Sequence, residues 1–302
     1  MVVWAPAKIN LYLDVLGPRP DGYHSIETLF AKINLRDRLR LGLLPRGRRD
    51  HLSVRGPFGA LIPPGPANLA LRAARAFKAG FGISRPVFIE IDKRIPVGAG
   101  LGGGSSDAAA VLTGLSRLFK LPETAAHVRA LKTMALGIGS DVPFFLEKAG
   151  FAVGRGRGER LSAFEVGRPF SWAVLVYPGL QVSTKEIYQK LRFPSKKPAL
   201  TRARHLGRLK KSLECGRLPP GWEGWLHNRL QQIVLSSHPE VAAARDRLLS
   251  LGARAVLVSG TGSSVFGLEK TRLKARRIFN RLKPVKNWSV WMLPLGGDLH
   301  RH

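Results

Sequence analysis

Two long N-terminal stretches, residues 2–16 and 25–42, alternate loosely between apolar and polar positions and are rich in Ile, Leu, Val, Phe and Tyr. That period predicts two long strands. Between them, Gly17-Pro18-Arg19-Pro20-Asp21-Gly22 has the composition of a turn. Residues 45–66 hold many Gly, Pro and Arg and read as a short strand with loops. Asn68 is placed to cap a helix that runs to about Ala79 and is ended by Gly80. Val87–Asp92 reads as a short strand. A glycine-rich loop over Pro96–Gly104 leads into a helix from Ser105 to about Phe119. A second helix is expected from near Pro122, with proline in its first turn, to Leu136-Gly137. Gly139–Pro143 reads as a loop and 150–162 as strand and turn.

The second half opens with a buried strand, Trp172–Tyr177, stopped by Pro178-Gly179. Helical patterns follow at 183–192, 198–212, 223–235 and 239–251. A strand over Ala255–Val258, a tight Gly260-Thr261-Gly262 loop and a strand over Val265–Leu268 come next. Residues 269–282 read as a basic amphipathic helix, and Trp288–Leu293 as a last strand. Strands alternating with helices predict a second α/β sandwich. A length of 302 residues suits two domains, and the expected division is 1–160 and 161–302.

Composition narrows the class. Apolar residues make up 44% of the chain, enough for a sizeable core. There is no apolar run of 18 residues, so no membrane span is expected, and Met1–Lys8 lacks the plan of a signal peptide. The single cysteine, Cys215, can form neither an internal disulfide nor a cysteine metal cage. It reads as an inert reduced thiol, so a cytoplasmic protein is expected. The net charge of +29 favours anionic partners. A nucleic-acid reader would interleave its basic residues with exposed aromatics or carry a reader motif, and neither occurs. Nucleic acid is therefore not expected as a partner.

The chemistry concentrates in Pro96-Val97-Gly98-Ala99-Gly100-Leu101-Gly102-Gly103-Gly104-Ser105-Ser106. Glycines leave backbone amides uncovered, and the loop runs straight into a helix start, where the amides and the helix dipole attract anions. Ser105 and Ser106 add hydroxyls. Phosphate is the natural occupant. No Gly-Lys-Ser/Thr closes the loop, so it is not a Walker A sequence. Gly98, Gly100 and Gly103 satisfy Gly-x-Gly-x-x-Gly, but no following strand with an acidic residue completes a dinucleotide site.

This loop resembles the second motif of the GHMP kinases. Other segments agree in order: Ala5-Pro6-Ala7-Lys8-Ile9-Asn10, Arg19-Pro20-Asp21-Gly22-Tyr23-His24, Asp92-Lys93-Arg94-Ile95-Pro96, Leu136–Pro143, Gly156–Glu159 and Ser259–Phe266. The resemblance runs from residue 5 to about 268. It leans to the branch that phosphorylates the 2-hydroxyl of a cytidine-diphosphate sugar alcohol in isoprenoid precursor biosynthesis. It implies an α+β fold of two-layer sandwiches, a ribosomal-S5-domain-2-like domain followed by a ferredoxin-like one. It also implies ATP, Mg2+ and a small-molecule substrate.

Residue by residue, it implies Asp141 as base with Lys8 as its partner. Pro96 to Ser106 would hold the ATP phosphates. Asn10, Tyr23, His24 and Lys93 would hold the cytidine and diphosphate, with Thr184 and Tyr188 against the base. Gly260, Thr261 and Gly262 would line the phosphate-hydroxyl end. Rival readings are a homoserine or phosphomevalonate type of GHMP kinase, a basic nucleic-acid-binding protein, and a kinase kept for binding only.

Overall fold

A computed structural model describes residues 1–62, 65–193 and 201–297. The chain forms two compact units. One comprises Met1–Ala7, Leu35–Val97 and Gly102–Lys148; the other comprises Lys8–Asn34, Gly98–Leu101 and the chain from Ala149 onward. The two long predicted strands, β1 (Val2–Pro18) and β2 (His24–Leu43), each supply residues to both units.

In the first unit, β4 (Val87–Asp92) pairs antiparallel with β2, Leu39 facing Ile91 and Leu41 facing Ile89. Strand β3 (His51–Arg55) adds on parallel to β4. β4 buries every second residue, the period of a strand with one covered face. The cover is helical: α1 (Leu69–Gly80), α2 (Gly103–Leu118), α3 (Ala125–Ile138) and α4 (Val142–Leu146). Phe77 of α1 and Val111 and Leu115 of α2 share one core with Leu39, Leu41 and Ile89. Asn68 caps α1 through a 2.9 Å hydrogen bond from the Ala70 amide, as its position predicts.

In the second unit, β5 (Phe151–Gly156) pairs with residues 26–31 of β2 and with β6 (Arg160–Phe164). A separate antiparallel sheet has the order β11-β7-β10-β9, formed by Ser289–Gly296, Pro169–Tyr177, Val265–Glu269 and Arg254–Val258. Around it lie α5 (Thr184–Lys190), α6 (Thr201–Glu214), α7 (Gln231–Ser237), α8 (Pro239–Ser250) and α9 (Arg272–Leu282). Its core joins Val174 and Val176 to Leu230, Val241, Leu248 and Ile278.

Three local expectations differ from the structure. α3 begins at Ala125 and not at Pro122, because the Thr124 hydroxyl accepts from the His127 amide and sets the cap there. The expected loop at 139–143 turns helical at Val142, with Pro143 in the first turn of α4. The expected helix 223–235 breaks into a 3-10 turn (Trp222–Trp225), a two-residue strand β8 (His227–Asn228) and α7. Pairing of β8 with Tyr12 and Leu13 of β1 overrides the helical propensity there. Residues 198–200 of the expected helix 198–212 lie outside the described residues. Among the described residues, no helix is long and apolar enough to cross a membrane.

Candidate active site

In the second unit, Lys8 and Asn10 lie two residues apart on β1, so their side chains share one face of the strand. The Lys8 ammonium donates to Asn10 Oδ1 at 2.7 Å. Asn10 Nδ2 donates to Thr28 Oγ1 at 2.8 Å, and Thr28 donates to the Tyr12 carbonyl at 2.7 Å. All three side chains are buried, Lys8 at 5% exposure. The relay fixes the orientation of the Asn10 amide and, through it, the position of the ammonium. The ammonium also stands 5.5 Å from the centre of the Phe30 ring, a cation–π distance.

The Gly260-Thr261-Gly262 turn comes to the same place. A Cβ on Gly260 would stand 3.3 Å from Asn10 Oδ1 and 3.6 Å from Lys8 Nζ. Asn228 of β8 holds this turn by donating to the carbonyls of Val258 (2.8 Å) and Gly260 (2.7 Å). The Thr261 and Thr184 hydroxyls are 3.0 Å apart.

Residues 98–101 of the glycine loop belong to this unit too. The Ser259 hydroxyl donates to the Gly100 carbonyl at 3.0 Å, and the Ser264 amide donates to the Ala99 carbonyl at 3.1 Å. Gly100 has φ +73°, and a Cβ there would overlap the Ser259 carbonyl oxygen. Only glycine fits that position.

Aromatic residues gather at the other end of the β1–β2 hairpin. His24 lies 5.0 Å from Tyr188 and is stacked on Phe193 at 5.9 Å. Tyr23 is exposed, and the Arg157 guanidinium sits over its ring at 4.5 Å. Glu159 accepts from the Arg157 amide and so shapes the turn that presents this arginine. Beside it, Asp21 has its carboxyl held below the usual range: the little burial it has raises it, but the Tyr23 amide, Arg19 and Arg157 prevail.

In the first unit, α2 starts at Gly103 after a left-handed Gly102, with no side-chain cap on its first amides. The Ser106 hydroxyl is buried and has no hydrogen-bond partner. Asp141 is half-buried and immediately precedes α4, yet its carboxylate does not cap that helix. The turn that carries Asp141 lies near α2, a Cβ on Gly139 standing 3.9 Å from Ser105 Oγ.

Lys93 departs from expectation. It is 1% exposed, and its ammonium is bound to Asp37 (2.5 Å) and Asp107 (2.6 Å) inside the first unit. Its charge is spent on two carboxylates and is not presented to a cytidine diphosphate. Asp37, Asp107, Thr28, Asn228, Arg157 and Phe193 were given no role from the sequence. Asp107 directly follows Ser105-Ser106, and Arg157 lies in the Gly156–Glu159 segment, so each of these had a local signal. Asp37, Asn228 and Phe193 become meaningful only through long-range contacts.

An uncapped helix start after a glycine loop in the first unit, and a buried lysine on a strand of the second, are each features that suit a phosphotransferase of the two-unit α+β kind. The profile of the GHMP kinases N terminal domain matches residues 68–148, and that of the GHMP kinases C terminal matches residues 199–285. The chain is 40% identical to the 4-diphosphocytidyl-2-C-methyl-D-erythritol kinase of Bacillus velezensis, over 92% of its own length and 91% of that protein. A crystal structure of a 4-(cytidine 5'-diphospho)-2C-methyl-D-erythritol kinase, 38% identical, superposes over 99% of this chain and all of its own with a TM-score of 0.76. Homoserine kinase from Cytophaga hutchinsonii, at 20% identity and a TM-score of 0.73 over 99% of this chain and 95% of its own, shares the fold. The chain belongs to the GHMP kinases, in the family of the 4-diphosphocytidyl-2-C-methyl-D-erythritol kinases.

Proposed function

We propose that this protein transfers the γ-phosphoryl group of ATP to the 2-hydroxyl of 4-diphosphocytidyl-2-C-methyl-D-erythritol. The observation that carries the reading is the Lys8–Asn10–Thr28 relay, a buried ammonium oriented by a neutral amide next to the Gly260 turn. Such a charge, held without reorganisation in a dry setting, stabilises negative charge that develops on a transferring phosphoryl or an alkoxide. Near-full-length likeness to kinases of that name selects the substrate over homoserine.

Phosphoryl transfer asks little covalent chemistry of a protein. Asp141 takes the proton of the attacking hydroxyl as the new O–P bond forms and the bond from the γ-phosphorus to the bridging oxygen of ADP breaks. The amides of Gly103, Gly104 and Ser105 and the hydroxyls of Ser105 and Ser106 hold phosphate oxygens at the start of α2. Pro96 to Gly102 shape the approach to that turn. Tyr23, His24, Tyr188 and the newly recognised Phe193 flank the cytosine, and Thr184, Thr261 and Gly262 border the sugar end.

Bound Mg2+ neutralises charge on the phosphates. Among the described residues, no group of three or more His, Cys, Asp or Glu could hold a metal ion. An ion carried in with ATP would be held through the nucleotide's own oxygens, and the unpartnered Ser106 hydroxyl is a fitting protein contact for a phosphate oxygen. The protein is assigned to the cytoplasm, in keeping with its single, exposed thiol.

A coupled ADP-release assay tests the reading. Turnover is expected with 4-diphosphocytidyl-2-C-methyl-D-erythritol and not with homoserine. Turnover of homoserine alone overturns it.

A further inference from the structure

The mechanism above leaves a buried ionic cluster without a task. Lys93 directly follows β4, Asp37 lies on β2 and Asp107 lies in the second turn of α2, so three separate parts of the fold meet at one ammonium. The side chains are 2%, 0% and 4% exposed. Burying three ionisable groups costs several kcal/mol, and apolar replacements would often be as stable. A cluster of this kind is a costly way to hold a core together and a good way to fix a geometry.

The geometry it fixes is that of the α2 start. Asp37 is fully engaged: Oδ2 takes the Lys93 ammonium, and Oδ1 takes the amides of Arg94 (2.6 Å) and Ile95 (2.8 Å). Asp37 thereby ties the chain leading into the glycine loop to β2. Asp107 ties α2 to the same ammonium one turn past Gly103. Gly103 itself lies directly over Lys93: a Cβ there would stand 3.0 Å from Nζ and 2.9 Å from Ile95 Cγ2.

We propose that Lys93 is a positioning residue for phosphoryl transfer, clamped by Asp37 and Asp107 so that it fixes the first turn of α2 against β2 and β4. This rests on the assignment of that turn to the ATP phosphates. Misplacing it by an ångström is enough to cost about 10²-fold in reactivity.

Asp37, Lys93 and Asp107 are the charged groups that face one another here, one from each element. Burial pushes the Asp107 carboxyl up to about 8; Lys93 pulls against that and Asp37 adds to it. Burial opposes the charge on Lys93, yet Asp107 and Asp37 together raise its pKa. At neutral pH the Asp107 carboxyl thus keeps its proton beside the Lys93 ammonium. Above pH 8 it gains a negative charge under the turn that receives a polyanion.

The test uses the full chain as wild type, Lys93→Met and Asp107→Asn. KM for each substrate and kcat are measured from pH 7 to 9, ADP binding by calorimetry, and folding by thermal unfolding. Lys93→Met is expected to weaken ATP and ADP and to lower kcat/KM for ATP about 10²-fold, with a much smaller change in KM for the cytidine substrate. In wild type, KM for ATP climbs as the pH passes 8. Asp107→Asn flattens that climb.

A folded Lys93→Met protein with wild-type nucleotide affinity overturns the proposal. If Lys93→Met does not fold, Asp107→Asn decides: a climb in KM for ATP identical to that of wild type reduces the cluster to a structural one. ADP calorimetry keeps the two readings apart. Wild type that binds ADP but turns over nothing sinks the function proposed above, while the clamp is still judged by the nucleotide affinity of the variants.

Discussion

The Lys8 ammonium lies 2.7 Å from Oδ1 of Asn10, and that amide is in turn held by Thr28. A buried lysine held by such a relay loses its freedom to swing. Asn10→Leu removes the orienter with little change in volume. A hydrogen bond to a charged group is worth about 1.5–3 kcal/mol, so kcat should fall roughly ten- to a hundredfold. ADP binding should change much less, because the amides proposed to hold its phosphates lie on α2. Steady-state kinetics beside calorimetry separates the two effects; an unchanged kcat removes the relay from the mechanism.

Asp141 stands at the head of α4 without capping it. Replacing it by Asn therefore leaves the cap of that helix unchanged and removes the acceptor proposed for the hydroxyl proton. Turnover should drop by about 10²–10⁴-fold, the range for a general base, with ADP affinity retained. An Asp141→Asn enzyme of near-normal kcat shows the base to be another group.

Much of the fold was legible from local pattern. The long alternating stretches became β1 and β2, and Asn68 caps α1 where its side chain predicted. β8 was not legible, because His227 and Asn228 become a strand only when Tyr12 and Leu13 are alongside. Within the candidate site, residues whose meaning is carried by neighbours in sequence stood out: the glycines, Ser105, Ser106 and Asp141. Lys93 was misread for the same reason. Its neighbours along the chain suggest an anion-binding loop, whereas its partners come from 56 and 14 residues away. Phe193 gave no local signal and joined the aromatic group only through its stacking on His24.

That aromatic group makes a separable prediction. Stacking of a base on an aromatic ring is worth about 1–3 kcal/mol per alanine substitution. Tyr188→Ala and Phe193→Ala should therefore raise KM for the cytidine substrate roughly five- to 160-fold, leaving KM for ATP within error. Arg157→Ala removes only the cation over Tyr23 at an exposed site, worth about 0.5–1 kcal/mol, and should raise the same KM about two- to fivefold. Equal changes in both KM values would show that these rings support the fold and not the base.

Gly100 offers a stability test of the glycine loop. Alanine there meets a left-handed backbone, at about 1–2 kcal/mol, and overlaps the Ser259 carbonyl, at about 1–3 kcal/mol for overpacking. Gly100→Ala should lower Tm and reduce nucleotide affinity together. Gly137→Ala is the control, since a Cβ there meets nothing within 4 Å; as a glycine inside α3 it should leave nucleotide affinity unchanged and Tm unchanged or slightly raised.

Asp107 makes the stability of the protein depend on pH in an unusual direction. Its carboxyl is raised to about 8 in the folded chain from the ordinary 3.8. Below pH 3.8 both states are protonated and the group is neutral in its effect. Between 3.8 and 8 the unfolded chain has released the proton and the folded chain has kept it, so this group lowers stability as pH rises. The slope is at most about 1.4 kcal/mol per pH unit, and the loss is complete above pH 8. Asparagine at this position has no proton to keep. The Tm of Asp107→Asn relative to wild type should therefore climb steadily from pH 4 to 8 and level off beyond. Calorimetric scans at pH 4, 6 and 8 measure it. A difference that is flat with pH means that the folded chain does not hold Asp107 protonated.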